Sequence, residues 1–161
     1  MASKENFSAN EWDLLRRAPL TASFVVAAAS PSGPIGLLQE SSAASKVILG
    51  AAQTAKTPLL QSLSQDLRQN FSFPQLPTGG DASQLKAAAL DTLKQSAELV
   101  ASKASPEEAL EFKQWLTEIA QKTAEAAKEG GFLGIGGTLV SDEEKRALQD
   151  ISNTLGLERA A

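Results

Sequence analysis

Apolar residues recur along this chain at steps of three and four, and serines and prolines mark where each run begins. From Ser105 onward, Ala109, Phe112, Leu116, Ile119, Ala120 and Ala127 form one stripe, while Glu111, Gln114, Glu118, Gln121, Glu125 and Lys128 fall opposite. That pattern predicts an amphipathic helix of about six turns lying on a core. Leu85, Ala89, Leu93, Ala97 and Val100 predict a second such helix over 81–103, and Leu60, Leu63 and Leu67 a third over 57–70. Ala147, Leu148, Ile151 and Leu155 give a last helix from Ser141, with Gly156 as its C′ glycine.

The starts of these helices are written in the polar residues. Ser8 and Glu11, Ser105 and Glu108, and Ser141 and Glu144 each have capping-box spacing. In that arrangement the serine hydroxyl accepts the N3 amide and the glutamate reaches back to the serine amide. Pro106 follows Ser105 and Pro58 follows Thr57, at a first helical position where a missing N–H costs nothing. Asp81 with Gln84 is a further cap. Glu118 and Lys122 are placed as an i,i+4 ion pair in the favoured order.

The first third reads differently. Asn10–Arg17 is expected as a short helix with Trp12 and Leu15 on one side, ended by Pro19. Leu20–Ala29 has almost no polar face and should be buried on most sides. Ser30–Pro34 (SPSGP) then breaks the chain, and a helix rich in Gly, Ala and Ser runs from Pro34 to about Thr54. Small residues at this spacing let helix backbones approach closely. Ser72–Gly80 (SFPQLPTGG) is a loop and the expected flexible point. No segment has a strand pattern; Phe132–Val140 is the nearest, and its glycines deny it. The fold expected is a single all-α domain over 1–161, an up-and-down bundle of about six helices.

Composition changes this picture chiefly by subtraction. The chain has no histidine, cysteine or tyrosine, so Zn–His sites, thiol nucleophiles and Ser–His–Asp triads are absent from its own side chains. Net charge is −4 with the cations scattered, Arg16-Arg17 being the only adjacent arginines; this argues against a nucleic-acid partner. The longest nearly apolar run, Ala18–Ala29, is short of the about 20 residues a membrane span needs. The N-terminal MASKENFSANEW lacks the basic-then-apolar layout of a secretory signal. A soluble, cytoplasmic protein without membrane insertion is expected.

One segment, Gly131–Thr138 (GFLGIGGT), comes within one residue of a phosphate-binding loop, with Gly137 where the lysine belongs. It follows a helix instead of a buried strand, and Asp142, Glu143 and Glu144 at the next helix start would repel a phosphate. It reads as a structural elbow: Gly130 and Gly131 stop one helix, Gly134, Gly136 and Gly137 let the chain turn, Ser141 starts the next, and Phe132 and Leu133 point inward. Glu107, Glu108, Glu111 and Glu118 could hold a metal only as carboxylates without the Glu-x-x-His of helical di-iron sites, and they read as a solvated face. No cofactor or metal is expected.

The residues named as a ligand or interaction surface are Trp12, Phe24, Leu38 and Trp115. Trp115, beside Phe112, Leu116 and Ile119, reads first as a structural anchor whose indole N–H wants a partner. The small-residue helices over 20–29 and 34–54 leave three uses open: an internal core, a homodimer face, or a pocket for an apolar ligand.

EWDLLRRAPLTASFVVAAASPSGPIGLLQE near one end, and FKQWLTEIAQKTAEAAKEGGFLGIGGTLVSDEEKRAL near the other, resemble a family of small all-helical bacterial proteins with no established function. The likeness lies in the tryptophan-bearing start, the S-P-S-G-like break and the GGFLG-type elbow before a capped helix. It implies a bacterial, soluble protein and no particular chemistry. The function expected is therefore non-enzymatic, through protein–protein interaction or self-assembly. Binding of a small apolar ligand in the alanine-rich N-terminal helices is the alternative. A carboxylate- or lysine-based enzyme is the third reading.

Overall fold

The structure, a computed structural model, describes residues 1–29, 44–51, 53–70, 81–129 and 140–157, without the side chains at 82 and 127–129. A 3-10 turn, Lys4–Asn6, precedes α1 (Ala9–Ala27). After a helical stretch over 44–51 and 53–54 come α2 (Pro58–Gln69), α3 (Ala82–Lys103), α4 (Pro106–Glu129) and α5 (Asp142–Thr154). There is no strand among the described residues, and the fold is all-α. α1 packs most extensively on α3 and α4, and α5 touches all three, so four helices enclose the main core. α2 lies outside that group, against α4, α1 and the 3-10 turn.

The apolar stripes face that core. Leu93 and Val100 of α3, Phe112, Leu116, Ile119 and Ala120 of α4, and Ala147 and Ile151 of α5 are fully buried. Leu85 and Leu148 are half-buried at its margin. Each fully buried leucine, valine, isoleucine or phenylalanine contributes roughly 1.5–3 kcal/mol. All three Ser–Glu capping boxes form, as does the one between Asp81 and Gln84. Thr57 caps α2 by accepting the Leu60 amide. Gly156 takes φ +66°, the left-handed geometry of a C′ residue, while the Leu157 amide reaches back to the Ser152 carbonyl at 2.9 Å.

Pro19 does not end the first helix. α1 runs through it to Ala27, although proline removes the N–H that would bond the Leu15 carbonyl, at a cost of about 3 kcal/mol. Tertiary packing overrides the break: Leu15, Ala18, Ala22, Val25 and Val26 line one buried face on both sides of the proline. Breaking the helix at Pro19 would strip Val25 and Val26 from the core. Leu20–Ala29 is buried on most sides, as its lack of a polar face predicts, and there the Ser23 hydroxyl accepts from Thr123 at 3.1 Å.

Other differences are local. Lys122 pairs with Glu125 at 2.9 Å, not with Glu118; the hydrogen bond to Glu125 raises the ammonium pKa, and Glu118 adds only longer-range charge. Of the expected Pro34–Thr54 helix, the part before residue 44 lies outside the described residues, as do Leu38, the 72–80 loop and the elbow glycines Gly130, Gly131, Gly134, Gly136 and Gly137.

Two carboxylates fasten the amino-terminal segment. Asp66 on α2 accepts from Lys4 Nζ at 2.9 Å through Oδ1. Its Oδ2 accepts from the Trp12 indole at 3.2 Å and lies 3.0 Å from Arg16 Nε. Glu108, expected on a solvated face, is only 2% exposed. Its Oε1 accepts the Ala2 amide at 2.8 Å and its Oε2 the Ser105 amide at 2.9 Å. Backbone donors 3 and 106 residues away draw it inward, which helical periodicity does not encode.

Burial pushes the Asp66 carboxyl up, but the hydrogen bonds from Lys4 and Trp12 and the charges of Lys4 and Arg16 outweigh it and hold the pKa below its ordinary value. Glu108 follows the same logic: burial raises it, and the Ser105 and Ala2 amides with the Ser105 hydroxyl more than offset that. Folded values below unfolded ones mean that the unfolded chain binds more protons as pH falls. The stabilisation is thus fully present above about pH 4.5 and is lost as pH drops through the folded values. Asp66→Asn should flatten the acid limb of a Tm-against-pH curve below about pH 4.5; an acid limb unchanged from wild type would remove Asp66 from this role.

Candidate functional site

The first three turns of α4, the 44–54 helical stretch and the turn that joins it to α2 meet at Glu111. Its Oε1 accepts the Lys56 amide at 2.7 Å. Its Oε2 accepts the Thr57 amide at 2.9 Å and a short hydrogen bond from the Thr57 hydroxyl. The amides are donors that the turn and the start of α2 leave unpaired, and a carboxylate beside a helix N-terminus is further favoured by the helix dipole. Gln61 steadies the same turn by donating to the Ala55 carbonyl at 2.9 Å. Glu111 therefore latches the chain at 56–57 onto α4.

Beside this latch runs a groove of about 670 Å³. Ala51, Leu60 and Trp115 are its buried apolar lining, beside the buried Thr57, and Val47 is half-buried. Glu107, Gln114, Glu118 and Lys56 are exposed along its rim, with Leu110 among them at 47% exposure. That exposed border makes it an open trough, not an enclosed cavity. A Cβ added at Gly50, in the wall, would meet nothing within 4 Å. The volume falls within the roughly 300–1,000 Å³ of ligand-binding clefts. A smaller depression is lined, among the described residues, by Gln61, Gln65, Arg68 and Gln69 of α2.

Trp115 joins groove and core. It is 4% exposed, its ring centroid stands 6.3 Å from that of Phe112, and its indole N–H has no hydrogen-bond partner among the described residues. Buried tryptophans ordinarily satisfy that donor.

Of the three nominated residues that are described, Trp115 lines this groove and Trp12 and Phe24 do not. Trp12 is committed to structure: its indole donates to Asp66, Phe7 stands 5.8 Å away, and Lys4 Nζ lies 5.9 Å from its ring. Phe24 is half-buried against the core, and Leu38 is among the residues outside the description. Ser141 caps α5, as expected of the elbow's last residue. Sequence reasoning passed over Leu110 and placed Glu111 on a solvated face, whereas its oxygens hold the 56–57 turn. Leu110 had a visible signal, since it is an apolar residue among Glu107, Glu111 and Gln114 on the polar side of α4. Glu111 had none, because its partners are 54 and 55 residues away.

Chemically the arrangement suits binding better than proton transfer. No group of three acidic side chains that could hold a metal occurs among the described residues. Glu108 and Glu111 spend their oxygens on backbone amides, and the Glu108 carboxyl is shifted downward, opposite to what a general acid needs. No family model, curated protein or solved structure matches this chain.

Glu111→Ala should destabilise the fold by about 2 kcal/mol, because two amides and a hydroxyl lose a common acceptor. Urea unfolding measures this, and a loss under about 0.5 kcal/mol would show that water replaces the carboxylate at little cost.

Proposed function

We propose that the protein acts without catalysis, by docking a segment of a partner protein in the groove between the 44–57 stretch and α4. The observation that carries this reading is Leu110, a large apolar side chain nearly half exposed at the lip of a trough lined by Val47, Ala51, Leu60 and Trp115. Covering such a residue supplies affinity, and helix-in-groove docking uses clefts of this kind. The apolar-ligand alternative is weaker here, because Ala22, Val25 and Val26 are fully buried core residues and the groove is open. A cytoplasmic, bacterial setting goes with this reading and rests on the sequence and its resemblance.

Panning a random peptide library against the protein tests it. Enriched peptides should lose about tenfold or more in affinity for Leu110→Asp. Gly50→Leu should do the same by occupying open space, with no cost to a helix that gains propensity over glycine. Peptides that bind both variants as tightly as wild type, or no enrichment at all, would refute the docking reading.

A further inference from the structure

We infer that the occupant of the groove is a basic, amphipathic helical segment of a partner protein; this rests on the docking reading above and gives it a chemistry. Three carboxylates, Glu107, Glu111 and Glu118, border the groove against one ammonium, Lys56. Glu107 and Glu118 are exposed and form no salt bridge among the described residues, and Glu118 lends only longer-range charge to Lys122. The oxygens of Glu111 hold the 56–57 amides, a bond pattern that joins no cation to it. Among the described residues the border is thus net negative, with no salt bridge to Glu107 or Glu118.

Its geometry fits a helix. Glu107 and Glu118 are separated by about 16 Å along α4, the rise of about three helical turns. Leu110 lies between them on the same border, so an incoming helix would meet an apolar contact flanked by acidic ones. Gly50, Ala51 and Ala55 stand in the facing wall beside Val47, Gln53 and Thr54, and small residues there admit a helix backbone closely. Burial of Leu110 drives the association, while the carboxylates select a cationic partner and speed its encounter. A second copy of this chain is disfavoured, since it is itself acidic at net −4.

The test uses three helical peptides of about 14 residues with one apolar pattern of leucines and polar positions filled by lysine, glutamate or glutamine. Binding is read from the Trp115 indole N–H resonance, assigned by comparison with Trp12→Phe. The lysine peptide should bind about tenfold or more tighter than the glutamate peptide at low salt. That preference should collapse in Glu107→Gln/Glu118→Gln and at about 1 M salt, where charges are screened. Equal binding of the lysine and glutamate peptides, lost in Gly50→Leu, would overturn the basic occupant and leave the docking site standing. Failure of every peptide to shift Trp115 would overturn the docking reading as well. A wild-type dimer by light scattering that Leu110→Asp dissociates would assign the groove to a second copy instead.

Discussion

The carboxylate of Glu111 holds two otherwise unpaired backbone amides and a threonine hydroxyl at the point where the chain turns into α2. Without that acceptor the amides of Lys56 and Thr57 would lose their partner at the end of the groove wall, whose other anchors include Ala44 and Ile48 in the core. The same device recurs through the molecule. Glu11, Glu108 and Glu144 each take the backbone amide of the serine that caps their own helix. Acidic side chains that in another setting would be candidates for catalysis are here used to finish helix ends.

The groove follows from how the elements are distributed. α1, α3, α4 and α5 touch one another and close the main core, leaving α2 to pack on the outside of α4. The 44–57 stretch feeds α2 from the side of α4 that carries Glu107, Leu110 and Glu111, so a seam remains between them. Trp115 lies at the base of that seam, buried against Phe112 on one side and lining the groove on the other. That one side chain therefore borders both the groove and the core.

What the sequence made legible was local and periodic. The Ser8, Ser105 and Ser141 boxes, the Thr57 and Asp81 caps and the Gly156 terminus depend on residues within one turn of one another, and each formed. The buried stripes of α3, α4 and α5 follow from spacing alone. Pro19 was misleading because the rule that proline ends a helix is local, whereas the Val25–Val26 burial that overrides it is tertiary. The Ala2 bond to Glu108, the Glu111 latch and the Asp66–Trp12 bond were illegible for a related reason: their partners lie 54 or more residues distant. Leu110 falls between these cases, since its place on the polar side of α4 is visible in the sequence but the trough beside it is not.

Amide hydrogen exchange at Lys56 and Thr57 tests the latch most directly. In Glu111→Ala protection of these two amides should fall by about tenfold or more, the equivalent of about 1.4 kcal/mol of local stability, while amides in the middle of α3 keep theirs. Unchanged protection at 56 and 57 would contradict it, because the groove wall would then be held by something other than the Glu111 carboxylate.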